Sequence, residues 1–114
     1  MNIKSLQSYL WILLFLVMSC TKLEIDESAP KCIEKKIKEF NKSTGCNTAK
    51  VEEYTFQGIT VYLFDPGNCG ADLQAQVYNA DCKNIGYLGG FEGSVKINGE
   101  DFSNATLVKT VWQK

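Results

Sequence analysis

The chain has 114 residues, with twelve lysines against thirteen acidic side chains and neither histidine nor arginine. Near-neutral charge argues against nucleic acid as a partner, because that recognition needs a basic face. The missing residue types exclude Ser-His-Asp and Cys-His catalysis, imidazole metal ligands and the bidentate guanidinium fork.

That composition reads as a protein that is not an enzyme and that carries no cofactor or metal. Hydrolysis by two carboxylates alone stays open chemically, and the loop acids Asp65, Asp72, Asp81, Glu100 and Asp101 are the residues it would use. The same acids suggest calcium, but the spacing after Asp81 places Lys83 and Ile85 where an EF-hand loop needs oxygen ligands. They read better as turn formers. The glycine-rich stretches Cys69–Asp72 and Gly89–Gly93 lack the lysine of a phosphate loop and read the same way.

In chain order, Asn2 to Ser8 is polar around Lys4, Tyr9 to Met18 is an apolar run, and Ser19-Cys20 follows. This is the layout of a secretory signal, and the run is too short to span a bilayer. Val17-Met18-Ser19-Cys20 resembles the lipobox of bacterial lipoproteins, with Val17 where leucine is usual. The resemblance implies cleavage before Cys20, lipid attachment at its thiol and acylation of the new amino terminus. It thus divides the chain into a signal peptide (1–19), a lipidated tether (20–28) and one small domain (29–114). The protein is then expected in the bacterial cell envelope. Thr21, in place of an aspartate associated with inner-membrane retention, favours the outer membrane.

Ser28-Ala29-Pro30 predicts a helix start, with Ser28 as cap and Pro30 in the first turn. Ile33, Ile37 and Phe40 form its apolar stripe, and Gly45 is the expected left-handed stop. The period then changes to two. Strands are predicted at Val51–Phe56, Ile59–Phe64, Leu73–Asn79, Ile85–Leu88, Ser94–Ile97 and Leu107–Trp112, with a tight turn at Gln57-Gly58. Short connections make neighbours antiparallel. The expected fold is α+β, one N-terminal helix on a four- to five-stranded antiparallel sheet with two disulfides.

With Cys20 assigned to lipid, Cys32, Cys46, Cys69 and Cys82 remain, an even set in an exported chain. Sequential pairing would join opposite ends of the helix and opposite ends of the third strand, the latter roughly 20 Å apart. A bridge needs Cα atoms within about 7 Å. Matching ends instead gives Cys46–Cys69 and Cys32–Cys82.

The helix stripe is expected to meet Val61, Leu63, Leu73, Ala75 and Val77. The opposite sheet face would then carry Tyr62, Phe64 and Tyr78, with Tyr54 or Phe56. Such a face is a candidate platform for an envelope protein or glycan, unless its aromatics serve cross-strand packing or the last strand and Trp112 cover it.

Pro30-Lys31-Cys32-Ile33, Val61-Tyr62, Pro66-Gly67-Asn68-Cys69, Asp81-Cys82, Gly89-Gly90-Phe91-Glu92-Gly93 and Asn98-Gly99-Glu100-Asp101-Phe102 resemble a family of small Bacteroidota lipoproteins of unknown function. The resemblance covers most of residues 30–112 and implies a lipid anchor and a cysteine framework, with no catalytic residues. The expected function is a lipid-anchored binding or accessory module; a small inhibitor of an extracellular lysozyme or protease is the alternative.

Overall fold

The computed structural model describes residues 23–114. Helix α1 (Lys31–Ser43) precedes strands β1 (Lys50–Phe56), β2 (Ile59–Asp65), β3 (Gln74–Asn79) and β4 (Asn84–Gly89). The short strands β5 (Lys96–Ile97) and β6 (Glu100–Asp101), a 3-10 turn at Phe102–Asn104 and β7 (Thr106–Gln113) complete it. The five long strands form one antiparallel sheet in the order β4-β3-β2-β1-β7, and β5–β6 form a separate hairpin. The fold is α+β, as the change of period predicts.

Both faces of the sheet are covered, by different means. Ile33 and Ile37 of α1 pack on Val51, Tyr62, Phe64, Val111 and Trp112, with Phe40, Tyr78 and Ile25 at the margin. On the other face Phe56, Val61, Leu63 and Val77 are closed over by Ile97 and Phe102, from the hairpin and the 3-10 turn. Each fully buried aliphatic side chain contributes about 1.5–3 kcal/mol relative to exposure.

This reverses the expected assignment of faces. Tyr62, Phe64 and Tyr78 lie beneath α1, whereas Val61, Leu63, Ala75 and Val77 face the hairpin. Leu73 precedes β3 and is exposed. Strand β2 is apolar and buried at four successive positions, Val61 to Phe64, so hydropathy leaves its parity undetermined and only the covering elements decide it. The larger rings fill the space under the helix, where Phe40 meets Phe64 edge-on at 5.4 Å and Trp112 at 6.0 Å.

Strand β7 buries two consecutive residues, Val111 and Trp112, because its pairing with β1 slips at Val51/Glu52. A bulge of this kind puts neighbouring side chains on one side.

The helix ends differ from expectation. Pro30 is the cap residue and makes no side-chain cap bond, while Ser28 turns back to the Asp26 carboxylate with its N–H and hydroxyl. At the other end Thr44, not Gly45, leaves the helix in an extended conformation. Lys114 donates to the Asn41 and Thr44 carbonyls there, a cation placed at the negative end of the helix dipole.

The disulfides are Cys32–Cys82 and Cys46–Cys69, with Cα atoms 6.1 and 5.7 Å apart. One ties the start of α1 to the β3–β4 turn, the other ties the segment after α1 to the β2–β3 loop. No helix among the described residues is long and apolar enough to cross a membrane.

Candidate functional site

Helix α1 leaves part of β3 uncovered, and a trough of ≈ 300 Å³ opens between the helix and that strand. Lys36, Glu39, Phe40 and Ser43 form its helical wall, Gln74, Gln76 and Tyr78 its strand wall, and Phe64 lies between. A second depression of ≈ 430 Å³ continues past Phe40 and Ser43 toward Cys46, Cys69 and Leu73. The Cys46–Cys69 bridge therefore borders the recess directly.

Strand alternation sets the chemistry of this wall. Gln74, Gln76 and Tyr78 occupy alternate positions and share one side of β3. Asn84 Nδ2 donates to Gln76 Oε1 at 2.8 Å, and Gln76 Nε2 donates to Gln74 Oε1 at 3.2 Å. The row is oriented in one direction, and the Gly86 N–H donates to its start at Asn84 Oδ1. The Gln74 amide N–H groups stand at the other end as donors.

Tyr78 supplies an aromatic wall, set by an edge-on contact with Phe64 at 5.1 Å. Lys36 Nζ lies 4.5 Å from the centre of the Tyr78 ring. Lys36 and Glu39 balance in charge, so the lining is close to neutral.

The loop after β4 adjoins the Gln74 end of the row. Gly90 donates to the Leu73 carbonyl at 3.1 Å and adopts a positive φ of 77°. A Cβ at Gly90 would stand 2.8 Å from Gln74 Cγ, so glycine permits this approach. The next residue, Phe91, is 91 % exposed. Nearby, the Tyr87 hydroxyl donates to Glu92 Oε2 at 3.2 Å, and the Glu92 charge holds that phenol above its ordinary pKa.

The predicted platform residues are dispersed. Tyr62 and Phe64 are 2 % and 4 % exposed and belong to the core beneath α1. Of the four, Phe64 and Tyr78 line the trough, and Tyr78 is the more accessible. Tyr54 lies on the hairpin face, 5.1 Å from Phe102. Burial raises the Tyr62 phenol pKa, with Glu53 adding to it; burial and then Glu52 raise that of Tyr54. Cys20 lies outside the described residues.

Sequence reading missed the amides because polar residues on a strand read as solvated. Their alternation in Gln74-Ala75-Gln76 was the available signal. It also missed Glu52, a buried carboxylate held by Lys50 at 3.4 Å and near the Tyr54 hydroxyl at 3.5 Å. The loop acids serve turns: Asp65 accepts from the Gly67 N–H and Asp101 from the Ser103 N–H. Among the described residues no group of three or more acids and cysteines is placed to hold a metal.

No curated protein and no solved structure matches the chain. A family model described as a domain of unknown function, DUF6970, matches residues 36–114, from within α1 through β7. The three cysteines Cys46, Cys69 and Cys82, the amide row and the Phe91 loop all fall inside that match, and the chain belongs to this family.

Proposed function

We propose that this chain is a lipid-anchored module of the bacterial cell envelope that binds a neutral, polyhydroxylated ligand, a glycan, in the trough between α1 and β3. It acts by binding and not by catalysis. The observation that carries the binding role is the oriented row Asn84–Gln76–Gln74 in an open, charge-balanced recess beside Tyr78. Side-chain amides offer donors and acceptors that match vicinal hydroxyls, and an aromatic wall suits the apolar face of a sugar ring.

Cysteine arithmetic supports the anchor. The two bridges use Cys32, Cys46, Cys69 and Cys82, so no cysteine of the same chain remains for Cys20. Acylation of Cys20 gives that residue a role and, with more than one chain, a durable attachment. Thr21 favours the outer membrane.

Two assays test the two halves. Cys20→Ser should move the protein from the membrane pellet to the soluble fraction; retention in the pellet defeats the anchor. On a glycan array, Gln76→Ala should weaken the strongest signals about tenfold, the equivalent of roughly one hydrogen bond to a ligand. Unchanged binding defeats the trough assignment.

The exposed Phe91 favours a second reading, inhibition of an extracellular lysozyme or protease by insertion of the glycine-rich loop. Phe91→Ala abolishing inhibition, with glycan binding absent, would select it.

A further inference from the structure

The segment before α1 does not hang free of the domain. Asp26 donates its backbone N–H to the Val111 carbonyl at 2.8 Å, and its carboxylate accepts from Lys109 at 3.1 Å. Ile25 packs against the core under α1. These contacts tie the segment to β7, the edge strand of the sheet.

Cys20 stands six residues before Asp26. Fully extended, that length spans at most about 20 Å. A lipid at Cys20 therefore cannot hold the domain far from the bilayer, and the part nearest the anchor is β7. On this edge Leu107 and Val108 are 52 % and 50 % exposed, and Leu23 in the segment before α1 is also exposed. An edge strand with bare apolar side chains is a pairing hazard unless something covers it.

We infer that the Asp26–β7 clip turns the β7 edge toward the bilayer, seating Leu107 and Val108 in the headgroup layer and directing the trough outward. The inference rests on acylation at Cys20. The occupant is a zwitterionic lipid surface: Lys109 is already paired with Asp26, while Glu24 and Glu27 put negative charge beside the strand. The trough, between α1 and β3, lies toward the opposite edge of the sheet from β7.

The test uses the acylated full chain in phosphatidylcholine vesicles whose acyl chains carry bromine, a short-range quencher of tryptophan. Intact mass and vesicle co-flotation first establish the anchor, so its failure is seen separately. Relative to the wild-type signal of Trp112, the added ring of Val108→Trp should lose roughly half its emission, as expected about 5–10 Å into the interface. The ring of Phe91→Trp should lose none. Asp26→Pro, which removes both the N–H donor and the carboxylate, should relieve the quenching of Val108→Trp. Equal quenching at positions 108 and 91 in a floated, acylated protein overturns the orientation, and quenching that survives Asp26→Pro overturns the clip.

Discussion

Gly67 shows how narrowly single residues are constrained near the recess. Its φ is 88°, and a Cβ there would lie 2.5 Å from Thr48 Oγ1 and 2.6 Å from Cys46 Sγ. Thr48 cannot withdraw without loss, since its hydroxyl donates to Asn68 Oδ1 and accepts from the Asn68 N–H. Gly67→Ala combines left-handed backbone strain with overpacking and should cost about 2–4 kcal/mol. A urea titration checks this, and a loss below about 1 kcal/mol would contradict it. Gln76 is different: it is half-exposed and supports no core contact, so Gln76→Ala should leave stability nearly unchanged while weakening ligand binding. Glu52 is legible only in three dimensions. In Lys50-Val51-Glu52-Glu53 two adjacent acids look alike, yet strand alternation buries the first and leaves the second more accessible.

At the scale of elements, the bridges act on the two ends of α1. Cys32–Cys82 spans 50 residues and Cys46–Cys69 spans 23. In the loop-entropy account each contributes about 2–4 kcal/mol, with the longer loop ahead by about 0.7 kcal/mol. The double variant Cys32→Ser, Cys82→Ser should thus melt lower than Cys46→Ser, Cys69→Ser. Equal melting temperatures would point to native-state contacts in place of loop entropy. The segment before α1 carries a pH signature of its own. Bonds from Ser28, then Lys109, lower the Asp26 pKa from 3.8 to about 2. Because the folded value lies below the unfolded one, its contribution is complete above 3.8 and fades as pH falls through about 2. Asp26→Asn should be less stable than wild type at neutral pH, and the two should converge in acid. Parallel acid-unfolding curves would remove Asp26 from the account. The disulfide pairing was legible from element order alone, because strand length makes sequential pairing too long. The helix ends were not: Lys114 is remote in sequence from the carbonyls it caps, and Ser28 is drawn to Asp26 by a contact local rules leave open.

At the scale of the whole molecule, the sheet has two covered faces, where the sequence left the face away from the helix either open or packed over. The five long strands, their antiparallel pairing and the α+β class follow from periodicity. The face assignment does not, because Val61, Tyr62, Leu63 and Phe64 are all buried and give no parity. Nor does the hairpin cap, whose strands have two residues each and depend on Ile97 and Phe102 finding the sheet. Covering both faces moves the candidate site from an aromatic platform to the margin where α1 stops covering β3. The site is then polar and recessed, on a body pinned by two bridges and joined through Asp26 to the segment before α1. In the proposed function this body is held to the envelope by lipid at Cys20. Intact-mass analysis of the protein extracted from envelopes tests it most directly. The predicted result is a 95-residue chain beginning at Cys20 and carrying both thiol-linked diacylglycerol and an amino-terminal acyl group. A mature chain with an unmodified Cys20, or one beginning elsewhere, would contradict it.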